Sequence, residues 1–221
     1  MTVLRRGSAG DLEAVAALEA LCFPPEEAAD REPLAGRLAV YPEHFLLLRE
    51  DRELVAFLDG FCTPEPDLRD EMYADPSLHR EDGAWQMIFR VAARPDRRGR
   101  GYATRLLEHL IRDAREAGRL GLVLTCKKPL LSFYARLGFR DEGVTEKSIH
   151  GGVRWHQMRL RFSEESSSEE SVSASPLSGA AVSGFADRLC QSRPRPSGQV
   201  ERPEQRYGSG GRGSPSDLFP G

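Results

Sequence analysis

The chain has 221 residues, 39% of them hydrophobic, and a formal net charge of −3, which suits one domain of common size with a tail or two small domains. So balanced a charge gives no global field for nucleic acid, no apolar run is long enough to cross a bilayer, and Met1 to Arg6 lacks the apolar core of a signal peptide. Cys22, Cys62, Cys126 and Cys190 show neither metal-ligand spacing nor a disulfide framework, so the first three read as small buried thiols in a soluble, reducing, cytoplasmic protein.

Asp11 is placed to cap a first helix that turns Leu12, Val15, Leu18 and Leu21 inward. Phe23-Pro24-Pro25 interrupts it, and a second helix is predicted from Glu26 to Val40. Phe45–Arg49 and Leu54–Leu58 flank Glu50-Asp51-Arg52-Glu53 and read as a hairpin. Residues 63–83 are polar and proline-bearing, as in a long surface loop. A strand-like run, Met87–Ala93, leads through Arg94-Pro95-Asp96-Arg97 to a helix over 101–117, whose Leu106, Leu107, Leu110, Ile111 and Ala114 form one apolar stripe. A strand from Leu120 to Cys126, a short helix from Leu130 to Leu137 and a final pair of strands follow. Strands first antiparallel and then joined by helical crossovers predict a mixed α/β sheet.

Composition breaks after Phe162. Ser163 to Ser171 is acidic and serine-rich, and Gly, Pro, Ser and Arg dominate from there to Gly221. Too few apolar groups occur to offset the entropy of ordering, so residues 1–162 are expected to form the domain and 163–221 a disordered tail. The tail is either a solvated extension or, once its serines are phosphorylated, a negative segment that binds proteins.

Arg98-Gly99-Arg100-Gly101-Tyr102-Ala103 sits where the strand hands over to the helix. Two glycines there leave backbone N–H groups uncovered at a positive helix end, with arginines alongside, which is a recipe for gripping a pyrophosphate. A basic solvent loop, or contact with nucleic-acid phosphates, would use the same residues.

The hexapeptide fits the R-x-x-G-x-A pattern of GNAT-superfamily acetyltransferases, and Phe133-Tyr134-Ala135-Arg136-Leu137-Gly138-Phe139 follows at the distance seen there. Glu19 to Ala29, which contains Phe23-Pro24-Pro25-Glu26-Glu27-Ala28-Ala29, Tyr41 to Leu47, and His150 to Met158 resemble the arylalkylamine (serotonin) or polyamine branch of microbial and fungal type. The likeness covers almost all of 1–162 and none of the tail. It implies the GNAT fold, a mixed, mostly antiparallel sheet with splayed central strands and flanking helices. It implies acetyl-CoA as co-substrate, a small-molecule amine as acceptor, and neither metal, nucleic acid nor membrane as partner. By the same resemblance, backbone groups at Val91, Ala92 and Ala93 hold the pantetheine chain and thioester carbonyl, and Arg98, Gly99, Arg100, Gly101, Tyr102 and Ala103 hold the pyrophosphate. The small side chains of Ala92 and Ala93 fit a close approach, or ordinary packing beneath a helix.

Tyr134 matches the family's general acid, and a phenol of pKa ~10 keeps its proton at neutral pH without special tuning. Glu27 matches a base in a distant insect relative; with Glu26 it could equally attract a cationic amine or simply complement a helix N-terminus. Vertebrate pineal enzymes carry two histidines where this chain has Met87 and Phe89, so their histidine relay does not transfer. Glu26, Trp85, Met87 and Phe89, with Tyr41 and Phe61, are candidates to line the amine pocket or to pack as core. His44, His79, His150 and His156 are further candidates for groups that titrate near neutral pH. Two other functions stay open: a protein lysine or N-terminal acetyltransferase, and a catalytically weak acyl-CoA-binding adaptor.

Overall fold

The computed structural model describes residues 1–25, 27–147 and 154–162; the tail expected over 163–221 lies outside them. Seven strands form one sheet: β1 (Thr2–Arg6), β2 (Leu46–Glu50), β3 (Glu53–Thr63), β4 (Trp85–Ala93), β5 (Gly121–Cys126), β6 (Arg140–Val144) and β7 (His156–Arg161). Their spatial order is β1-β2-β3-β4-β5-β7-β6. Every neighbouring pair is antiparallel except β4 and β5, which are joined by the crossover helix α4 (Tyr102–Glu116). This is the mixed, mostly antiparallel α/β sheet that the sequence led us to expect.

The central strands β2 to β5 are buried on both faces. Leu106, Leu107 and Leu110 of α4 pack with Ile88, Val91, Leu122, Leu124 and Met158 on one face. On the other, α1 (Leu12–Cys22) and α2 (Arg31–Val40) bring Val15, Leu18, Leu34 and Leu38 onto Phe57, Phe61, Met87 and Val123. Two short helices, α3 (Glu71–Ala74) and α5 (Leu131–Ala135), complete the set of α-helices among the described residues. None of these is long and apolar enough to cross a membrane.

The second helix starts at Arg31, not Glu26. The Glu27 and Ala28 N–H groups close a turn onto the Pro24 carbonyl, the Glu19 carboxylate takes the Ala29 N–H, and Asp30 is extended. Residues 63–83 are more ordered than a loop, since β3 runs to Thr63 and α3 lies within them. The helix predicted over 130–137 is the shorter α5, after which Gly138 turns left-handed at φ 91°.

One irregularity shapes everything that follows. Along β3 and β4, Asp59 pairs with Arg90 and Gly60 with Ile88, so Phe89 is an extra residue, a β-bulge. A Cβ on Gly60 would stand 1.9 Å from the Met87 carbonyl oxygen, so only glycine lets the two backbones close around it.

Candidate active site

β4 and β5 pair only where Trp85–Ile88 meets Gly121–Leu124. Beyond that the strands part, and among the described residues no ladder joins Phe89–Ala93 to the end of β5. The Arg94 N–H bonds to the Val55 carbonyl at 2.9 Å. By antiparallel alternation Ala92 also faces β3, and Val91 and Ala93 turn their backbone groups into the fork. The Cys22 thiol, donating to the Ala93 carbonyl at 3.3 Å, marks that side as outside the β3 ladder.

At one end of the fork lies the N-terminus of α4. Gly99 and Gly101 stand at φ 76° and 75°, and a Cβ on either would meet nothing within 4 Å. Glycine is required here by the backbone conformation, not by space. The first turn of α4 holds no acidic residue, so its uncapped N–H groups offer an anion site. The arginines beside it are partly balanced. Glu50 receives Arg97 at 2.6 Å, the Tyr102 hydroxyl at 3.0 Å and Arg100 at 3.4 Å, and Arg94 spans Asp96 and Glu53. Tyr102 and Ala103 are buried beneath the helix start.

Tyr134, on α5, is 5% exposed and meets Phe133 and Phe139 edge-on. Burial raises its phenol above the ordinary tyrosine range, so the proton stays on. Cys126 at the end of β5 is pushed up to about 12 by burial and stays a thiol.

The opposite face of the fork is built from charges that sequence reasoning missed. The bulge places Phe89 and Arg90, consecutive residues, on the same side. Arg90 donates to Glu19 at 2.8 Å, to the Glu27 carbonyl at 2.9 Å and to the Phe89 carbonyl at 3.0 Å, with Phe23 and Tyr73 each 5.5 Å from its guanidinium. Arg37 pairs with Asp59 at 2.8 Å, donates to the Tyr73 carbonyl, and lies 5.0 Å from the Phe89 ring centroid. Glu19 Oε2, Asp59 Oδ1, Arg37 Nε and the Tyr41 hydroxyl are buried without a hydrogen-bond partner among the described residues. The signal was available in the sequence: each of the four charges interrupts an apolar run.

The candidate pocket residues separate. Phe89 lies at the fork. Met87 is fully buried core. Trp85 sits at the far end of β4 under the guanidiniums of Arg159 and Arg161, 4.8 and 5.2 Å away. Tyr41 and Phe61 stack on each other in the α1/α2 core. Glu26 and His150 lie outside the described residues. Glu27 is brought to the fork, where both of its carboxylate oxygens hold Lys127, at 2.6 and 2.7 Å. His156 pairs with Asp141 on the outer strands.

His44 and His79 converge with Glu81 beside the start of β4. Gln86 donates to two backbone carbonyls, so its oxygen faces His44 Nδ1 as an acceptor, at 3.2 Å. His79 Nδ1 accepts the Cys62 N–H, which puts the ring proton on Nε2, facing Glu81 at 3.3 Å. Arg119 takes the other Glu81 oxygen at 2.9 Å. With its proton on Nε2, His79 has no Nε2 lone pair for a metal.

The family model described as "Acetyltransferase (GNAT) family" matches residues 12–139. A probable glucosamine 6-phosphate N-acetyltransferase of Oryza sativa subsp. japonica is 40% identical over 47 residues, 21% of this chain and 28% of that protein. The loading GNATL domain of CurA from Lyngbya majuscula superposes with a TM-score of 0.64 at 20% identity, over 73% of this chain and 98% of that one. A GNAT-like decarboxylase, GphF, in complex with isobutyryl-CoA, gives 0.64 at 21% identity, over 72% and 98%.

Proposed function

Because the chain belongs to the acetyltransferase (GNAT) family, and is thus an acyltransferase, we propose that it moves the acetyl group of acetyl-CoA directly onto a small primary amine of the arylalkylamine or polyamine kind. The observation that carries this is the fork itself. Unpaired β4 backbone and an uncapped helix N-terminus open on the gap between β4 and β5, and the protonated phenol of Tyr134 lies in the core cluster that holds Val91, Ala93 and Cys126. We place the acetyltransferase domain at residues 1–162, working in a cytoplasmic setting that suits its three buried cysteines, none of which forms a disulfide among the described residues.

Acetyl transfer needs a polarised carbonyl, a neutral amine and a proton for the departing thiolate. In this reading the pyrophosphate rests on the N–H groups of Gly99 to Ala103, with Arg98 and Arg100 beside it. N–H groups of Val91 and Ala93 polarise the thioester carbonyl. The amine attacks that carbon, the new C–N bond forms as the C–S bond breaks, and Tyr134 donates its proton to the sulfur. Glu27 accepts the proton lost by the amine once Lys127 has moved off it.

A panel of tryptamine, phenylethylamine, spermidine and a lysine peptide, each incubated with acetyl-CoA, tests the reading. Turnover of tryptamine, phenylethylamine or spermidine is the expected outcome. Turnover of the peptide alone would transfer the role to a protein acetyltransferase, and acetyl-CoA binding with no product would leave an adaptor.

A further inference from the structure

Lys127 follows the last residue of β5, so its side chain rises from one lip of the fork. Glu27 reaches it from the other side, because Arg90 at the β4 bulge holds the Glu27 carbonyl. The Glu27–Lys127 pair therefore spans the gap where the strands have separated. The ammonium has a second partner, the Trp155 ring, whose centroid is 5.7 Å away. A carboxylate offering both oxygens together with an aromatic face is the chemistry that recognises an alkylammonium ion.

The anchoring is unequal. Glu27 is fixed through its own backbone by Arg90, which Glu19 holds in turn. Lys127 is a point charge on a flexible four-carbon stem, 22% exposed, and can swing outward to water. The cradle is fixed to the backbone, whereas its occupant hangs from a side-chain stem.

We infer that Glu27 and Trp155 form the subsite for the acceptor's ammonium group, and that Lys127 is an internal stand-in which a primary alkylamine displaces. This rests on reading the fork as an amine acetyl-transfer site. It narrows the acceptor to flexible alkylamines carrying a cationic primary amine, the shape that the lysine stem already has. It also assigns Lys127 a role as competitor: each acceptor must displace an ion pair before it can bind.

The test is calorimetric titration of 1,5-diaminopentane into the full chain saturated with CoA, which carries no acetyl group to transfer. Lys127→Met should bind the diamine about tenfold more tightly than the parent, and Lys127→Arg should not. Glu27→Gln should weaken binding at least tenfold, alone or combined with Lys127→Met. Lys127→Gln serves as a second neutral variant if Lys127→Met does not fold. Unchanged or weaker diamine binding in a neutral variant with intact CoA affinity and melting temperature would overturn the proposal and make the pair a structural brace. Tighter diamine binding without acetylation of any amine would keep the subsite and remove the transfer reading. Acetylation of amines with binding indifferent to Lys127 and Glu27 would do the reverse.

Discussion

Tyr134 keeps its phenolic proton because burial penalises the phenolate, and Cys126 stays a thiol for the same reason. The first can give a proton to a leaving thiolate; the second does not compete as a nucleophile. Replacing Tyr134 with Phe preserves the packing against Phe133 and Phe139 and deletes only the hydroxyl. Turnover should fall by roughly 10²–10⁴, the range for a lost general acid, while the dissociation constant of acetyl-CoA from titration stays put. Unchanged turnover would remove Tyr134 from the chemistry. Asp11 yields a second prediction. The hydrogen bond from Arg5 outweighs burial and holds its carboxyl at about 2, below the ordinary 3.8. A lowered carboxylate pKa contributes stability above the ordinary value that is lost as pH falls through 4 towards 2. Asp11→Asn should cost on the order of 2 kcal/mol at pH 7, and the gap to the parent should close by pH 2 in denaturant melts. At this scale the sequence was partly legible. Tyr134 and Glu27 could be singled out from motif likeness. The partners of Arg90 and Arg37 could not, because Glu19 and Asp59 lie 71 and 22 positions away from them along the chain.

The β2–β3 hairpin turns through Asp51 and Arg52, both left-handed, at φ 49° and 74°. A two-residue turn of this hand favours Asn-Gly or Asp-Gly, and a long side chain at its second position is strained. Arg52→Gly should stabilise the chain by about 0.5–1 kcal/mol in chemical denaturation; a loss of stability would show that the arginine side chain contributes more than its backbone costs. Elements with strong periodicity, α1, α4 and the hairpin, could be read directly, although Leu21, expected to turn inward from α1, is exposed and Cys22 takes the buried place beside it. The first strand, Thr2–Arg6, could not, because its apolar positions are too few to stand out. The start of α2 was misplaced because the turn at Pro24 and the Glu19 side chain claim the N–H groups that a helix would have used. The fork was not legible from local pattern either, since it consists of missing pairing between strands 32 residues apart, counted from Phe89 to Gly121; it entered the reading only through the family likeness.

Across the whole molecule, β5, β7 and β6 are joined to the rest of the sheet by the four paired positions of β4 and β5, with α4 packed over the seam. A ligand gripping both sides of the fork should therefore strengthen the junction more than either half. With CoA at about a hundred times its dissociation constant, linkage adds about 2.7 kcal/mol. Hydrogen exchange should slow more in Gly121–Cys126 and His156–Arg161 than in β1 and β2, and uniform slowing would contradict a ligand seated across the seam. The single extra residue in β4 also acts as a parity counter. Val91 and Ala93 stay under α4 only because Phe89 and Arg90 share one side of the strand. In a straightened β4 with the same sequence, Val91 would exchange places with Arg90, driving a guanidinium into the aliphatic layer below α4. A one-residue deletion at 89 would thus keep both faces in step and lose a phenyl ring, whereas one at 90 would also take from buried Glu19 the guanidinium that holds it. A one-residue insertion after Arg90 would turn Val91 to Ala93 over, so descendants of this gene can shorten the bulge more safely than they can lengthen the strand beyond it.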